Sequence, residues 1–182
     1  MDDPKLTAIS KFLSLVLRHQ PGLIGLVPDA AGWVEVDDLL RRAAAHGRPI
    51  SQQQLAEVVA TNDKKRFAFS DDGARIRASQ GHSIEVDLGL PPRKPPAELF
   101  HGTAKRTLEA ILRTGLEKRA RHHVHLTERH DTALAVGRRY GAPALLRVDS
   151  ARMAQDGFVF HCSENGVWLV DSVPATYLEL LS

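Results

Sequence analysis

Four prolines in six residues, Pro91-Pro92-Arg93-Lys94-Pro95-Pro96, constrain this chain more than any other feature. Proline lacks an amide hydrogen and fixes φ, so neither a helix nor a central strand crosses this stretch. The reading is an extended linker over 91–97 between a lobe at 1–90 and a lobe at 98–182.

The two lobes pattern differently. In the first, Ile9, Phe12, Leu13, Val16 and Leu17 repeat at helical spacing until Pro21-Gly22 stops the helix just beyond Arg18 and His19. Asp37-Asp38 begins a second helix through Ala45, and Ser51 caps a third containing Leu55, Val58 and Val59. Arg66–Ser70 and Arg75–Ala78 flank Asp71-Asp72-Gly73-Ala74 as a hairpin. Three helices followed by a hairpin suggest a winged-helix module. In the second lobe, a strand ends at His101-Gly102-Thr103, Thr107–Thr114 is helical, His123–Leu126 is a short strand and Thr132–Arg138 a helix. Ala144–Val148, Gly157–Phe160 and Val167–Val170 read as strands, the last two joined by a turn at Ser163–Gly166. The predicted class is α+β with a mainly antiparallel sheet.

Composition is that of a folded, non-membrane chain of 182 residues, 43% apolar and 25% charged, with no apolar run of membrane-spanning length and no basic-apolar leader at Met1–Pro4. A cytoplasmic monomer is expected. The one cysteine, Cys162, excludes an intramolecular disulfide framework and reads as a small core residue or strand end. Net charge is only +2, and residues 1–90 carry 11 basic against 12 acidic groups, so any grip on nucleic acid is local. Of 24 basic residues 17 are arginine, whose planar fork suits phosphate.

Arg18 and His19 complement the negative end of a helix dipole, which is by itself a structural role. After Arg77, the segment Ala78-Ser79-Gln80-Gly81-His82-Ser83 is small and polar, suited either to wrapping an anion or to a solvated loop. Arg119, Arg121, His122, His123, His125, Arg129 and His130 crowd one stretch, but neither paired cysteines nor His-x-x-x-His spacing supports a metal site, and none is expected. Gly-x-Gly-x-x-Gly and Gly-Lys-Ser/Thr loops are both absent, so a nucleotide would need another kind of fold.

Taken in order, Ser10–His19, Gly32-Trp33, Arg66-Phe67, Ile76–Ser83, His101-Gly102-Thr103, His122–Thr127, Gly137-Arg138-Arg139 and Asn165–Leu169 resemble the KptA-type RNA 2′-phosphotransferases over nearly the whole chain. That resemblance implies a winged-helix lobe and an ADP-ribosyltransferase-like lobe, with NAD⁺ as co-substrate and RNA bearing a 2′-phosphate as partner. The family's basic quartet maps onto Arg18, His19, Arg77 and Arg139, the Gly-x-Arg pattern favouring Arg139 over Arg138. Gln80, His82 and Ser83 are implied to hold the phosphate. His101, Gly102, Thr103, His125, Leu126 and Thr127 are implied to hold the cofactor, and Glu164 reads as a turn residue rather than a catalytic glutamate.

The implied reaction has two steps. The 2′-phosphate displaces nicotinamide to give RNA-2′-phospho-ADP-ribose; the ribose 2″-hydroxyl then attacks phosphorus, freeing RNA and ADP-ribose 1″,2″-cyclic phosphate. Two rivals share parts of this pattern: an ADP-ribosyltransferase acting on terminal phosphates of RNA or DNA, and a non-enzymatic winged-helix regulator. The regulator is disfavoured by a third helix poor in Arg and Lys.

Overall fold

A computed structural model describes residues 3–62, 64–119 and 122–182; Arg121 of the basic stretch lies outside them. The chain divides into two compact units, Met1–Gly89 and Leu90–Ser182. Both combine helices with antiparallel pairing, so the class is α+β. Among the described residues no helix is long and apolar enough to cross a membrane.

In the first unit α1 (Pro4–Arg18) starts where Asp3 accepts from the Lys5 amide and Pro4 occupies the first turn, the place a missing N–H costs least. Its apolar stripe of Leu6, Phe12, Leu13, Val16 and Leu17 is buried. Helix α2 (Val36–Ala45) follows the two-residue strand β1 (Val34–Glu35). Helix α3 (Gln52–Thr61) opens on a full capping box between Ser51 and Gln54. The hairpin of β2 (Phe67–Phe69) and β3 (Arg75–Ala78) pairs Phe67 with Ala78, Ala68 with Arg77 and Phe69 with Ile76, and β1 adds on the other side of β3. Strand alternation therefore puts Phe67, Ile76 and Ala78 in the core and Arg66, Arg77 and Ser79 on the opposite face.

The second unit contains β4 (Leu99–Ala104), α4 (Lys105–Thr114), β5 (Leu116–Glu117), β6 (Val124–Leu126), α5 (His130–Arg138), β7 (Pro143–Val148), α6 (Ser150–Gln155), β8 (His161–Cys162), β9 (Trp168–Val170), β10 (Ser172–Val173) and β11 (Leu178–Leu180). Strand orders are β11-β7-β4, β6-β9-β8 and β10-β5, all antiparallel. Phe100 and Thr127 exchange two backbone bonds, of 2.8 and 3.0 Å, and so stitch the first sheet to the second. Helix α5 lies on β4 with bare backbone at the contact: a Cβ on Gly102 would stand 1.6 Å from the Ala133 carbonyl oxygen, and one on Gly137 2.7 Å from that of Thr103.

One expected strand is displaced. Residues 157–160 follow α6, which Asp149 caps by accepting from the Arg152 amide; the strand starts only at His161. Phe160 is a core plug whose carbonyl bonds Arg93 instead of a sheet neighbour. The proline stretch is also more than a spacer. His161 Nδ1 donates to the Leu90 carbonyl (2.8 Å), Arg93 N to Phe160 (2.7 Å) and Ser150 Oγ to Pro96 (2.7 Å), while the Arg93 guanidinium lies over the Trp168 ring at 5.5 Å. The prolines are strapped to the second unit.

Candidate functional site

The sequence-predicted site residues fall in two groups, one in each unit. In the first unit the end of α1 meets the polar segment after β3. The Ser83 amide donates to the Arg18 carbonyl (2.9 Å), one of the carbonyls a helix end leaves without an intrahelical partner. His19, the C-cap residue, places Nδ1 2.9 Å from Ser83 Oγ. Arg18 Nη2 donates to the Arg66 carbonyl at 3.4 Å, and the same carbonyl accepts the Ser79 amide at 2.9 Å. Thus Arg18, His19, Ser79 and Ser83 are gathered around the end of one helix.

Arg77 stands beside them on the outer face of the hairpin. Its guanidinium lies 4.4 Å from the Trp33 ring centre and Nη1 reaches the Ala31 and Leu88 carbonyls at 3.4 Å. Its Nε is buried without an acceptor among the described residues, and Gln80 Oε1 is buried there without a donor. His82 is buried against Gly32, where an added Cβ would come within 3.4 Å of its Nε2. Trp33 and Gly32 thereby form the floor on which Arg77 and His82 rest.

Spacing alone gave Arg66 no role, yet the structure puts it in this cluster. It lies opposite Ser79 and diagonal to Arg77 on the same face, and the residue before it, Lys65, has φ +41°, a left-handed conformation a lysine rarely adopts. The Ser79 hydroxyl holds that bend by donating to the Lys65 carbonyl (2.8 Å). Only the hairpin register, which the amino-acid order does not state, reveals the pairing.

In the second unit His101 on β4 places Nδ1 3.1 Å from the His125 carbonyl on β6. A carbonyl only accepts, so the proton sits on Nδ1 and Nε2 of the neutral ring is an acceptor. Thr103 Oγ1 lies 2.9 Å from Thr107 Oγ1. Thr127 joins β4 by its backbone, and its hydroxyl accepts from the Arg129 amide (3.2 Å). Leu126 is in the core, and Gly102 is covered by α5, so both offer backbone only. Arg139 is the exposed C-cap of α5, and Arg138, equally exposed, is its last residue.

The described part of the histidine-rich stretch disperses. His130 packs edge-on to Phe100 with centroids 4.1 Å apart, His123 lies 3.9 Å from Asp171 and 6.2 Å from the His161 ring, and Arg129 forks onto Asp131. Burial pushes the His123 pKa below its ordinary value, against the pull of Asp171. Among the described residues no three His, Cys, Asp or Glu groups are placed to hold a metal ion. Glu164 lies in the turn between β8 and β9, and Glu128 accepts from the Trp168 indole at 2.8 Å. Cys162 ends β8, half-buried, where burial pushes its thiol pKa up.

These features have relatives. Residues 4–172 match the family model described as RNA 2′-phosphotransferase, Tpt1 / KptA family. A protein of Rhodopirellula baltica named "Probable RNA 2′-phosphotransferase" is 56% identical, covering 97% of this chain and 96% of its own. Same-named proteins of Agrobacterium fabrum and Trichormus variabilis are 58% identical (94% of this chain, 92% of theirs) and 50% identical (100% of both). With a family match over nearly its full length, the chain belongs to the Tpt1/KptA family of RNA 2′-phosphotransferases.

Proposed function

We propose that this enzyme removes an internal 2′-phosphate from RNA by transferring it to NAD⁺. The observation that carries the reading is the cluster at the end of α1, where Arg18, His19, Arg77 and the Gln80–Ser83 segment meet within a chain of this family. The first unit is the winged-helix-like phosphate lobe, and the second an ADP-ribosyltransferase-like lobe for the co-substrate.

An anionic phosphate fits the first cluster on chemical grounds. A buried N–H without an acceptor costs about 1–3 kcal/mol, and a phosphate oxygen at Arg77 Nε would remove that cost. Arg18 adds a guanidinium fork, Arg66 lies on the same hairpin face as Arg77, and Ser83, His82 and Gln80 supply further polar groups. The phosphate is already a nucleophile, so these residues position it and then stabilise charge on its oxygens; orientation of this kind lowers a barrier by up to about 7–11 kcal/mol. Arg139, at the end of α5, is the fourth basic residue of the quartet that the family resemblance implies. His19, held by Ser83, transfers a proton to or from the reacting oxygens, the role imidazole most often takes in general acid–base catalysis.

The second cluster suits a nucleotide ribose and amide. His101, with its proton fixed on Nδ1, accepts at Nε2, and Thr103, His125 and Thr127 offer hydroxyl, imidazole and backbone groups. NAD⁺ supplies the carbon that accepts the phosphate; the histidines and threonines orient it.

The test is an RNA with one internal 2′-phosphate, incubated with and without NAD⁺, following RNA mass and released nicotinamide. NAD⁺-dependent loss of the phosphate establishes the reading. A persistent ADP-ribosyl adduct overturns it in favour of a one-step transferase, and RNA binding without turnover overturns it in favour of a regulator.

A further inference from the structure

The corner of the second unit where α5 ends and α4 begins carries exposed charge of one sign. Lys105, Arg106, Arg138 and Arg139 are all exposed there, and none makes an ion pair with a described residue. Backbone contacts bring the two ends together: the Lys105 amide donates to the Ala142 carbonyl at 2.8 Å, and Ala104 pairs with Pro143. Segments 101–107 and 137–146 contain no acid at all. The contrast with Arg147 further along β7 is instructive, since that guanidinium is shared between Glu98 and Glu179. In the same corner, directly after Arg139, Tyr140 leaves 53% of its surface exposed.

Unpaired cations around an exposed ring have the makeup of a single-stranded nucleic-acid platform, in which charges follow the phosphodiester backbone and a base stacks on the aromatic face. We propose that Lys105, Arg106, Arg138 and Tyr140 form a docking surface for single-stranded RNA, with Tyr140 stacking a base. This rests on the function proposed above, and it gives the second unit a grip on RNA in addition to its cofactor role. Stacking is tolerant of base identity, so the surface recognises single-stranded RNA with little regard to sequence.

Binding of a fluorescent single-stranded RNA with one 2′-phosphate is measured by anisotropy over a range of KCl concentrations, without NAD⁺. Each phosphate contact on a single strand contributes about 0.7 to the slope of log affinity against log salt, so Lys105→Ala combined with Arg106→Ala lowers the slope by about 1.4. Tyr140→Ala weakens binding about tenfold while leaving the slope alone, and Tyr140→Trp restores it. Thermal melts verify that the variants fold, and the Tyr140 variants, being exposed, serve if the double variant does not. An unchanged slope together with unchanged affinity in Tyr140→Ala overturns the surface. The same wild-type sample given NAD⁺ separates the two ideas: phosphate removal with unchanged variant binding rejects the surface alone, while altered variant binding without phosphate removal rejects the catalytic reading alone.

Discussion

His19 and Ser83 are 64 positions apart in the sequence and 2.9 Å apart in space, so the residue that caps α1 also belongs to the cluster proposed to hold phosphate. If His19 serves the second chemical step and Arg77 steadies the phosphate through it, His19→Ala and Arg77→Ala slow turnover about 100-fold or more, with RNA-phospho-ADP-ribose accumulating. Mass spectrometry detects that species; equal loss of NAD⁺ affinity with no accumulation counts against the assignment. His123 makes an independent prediction about stability. Its folded pKa lies below the unfolded value of 6.5, so the unfolded chain takes up more protons and stability falls as pH drops through that value. In His123→Gln the stability curve flattens between neutral pH and about pH 5, as denaturant melts at several pH values would show. At this scale the sequence spoke unevenly. Helical spacing alone left Arg18 and His19 as dipole partners, the family resemblance raised them to site residues, and Arg66 gained its place only from the strand register.

Elements with a cap and a stripe were readable in advance. Helix α1 ends ahead of Pro21, α3 starts at Ser51, and the hairpin of β2 and β3 turns at Asp71–Ala74, all from local signals that agree with the packing. Two-residue strands such as β1, β5, β8 and β10 carry too few positions for alternation to register, and the apolar run at Phe158–Phe160 mimics a strand while serving as a plug beside α6. The packing of α5 on β4 was equally hidden, since a glycine in a strand says only that something approaches. Here that something is the Ala133 carbonyl, and Gly102→Ala destabilises the protein by about 3 kcal/mol or more by forcing α5 away. Urea unfolding measures this; a loss within about 0.5 kcal/mol, the range of an ordinary surface change, contradicts it.

For the whole molecule, the proline run reads in the sequence as an extended linker, and its backbone is bonded to the second unit. Because Leu90, Arg93, Pro96 and Ala97 all bond into the second unit, a fragment beginning at Leu90 is more stable than one beginning at Glu98 by about 2–5 kcal/mol, summing a few bonds of about 0.5–1.5 kcal/mol each. Melting the two fragments side by side tests this, and equal stability refutes it. On the other side of the junction Arg77 holds the Leu88 carbonyl and the Asp87 amide donates to Ala30. Gly89 is left between two anchored carbonyls, with φ +63° and open space where a side chain would go. At the junction, a residue inserted beside Gly89 costs the bond from its amide to Asp87 but leaves both anchored carbonyls in place, whereas one inserted before Leu88 or after Leu90 pulls on Arg77 or on His161.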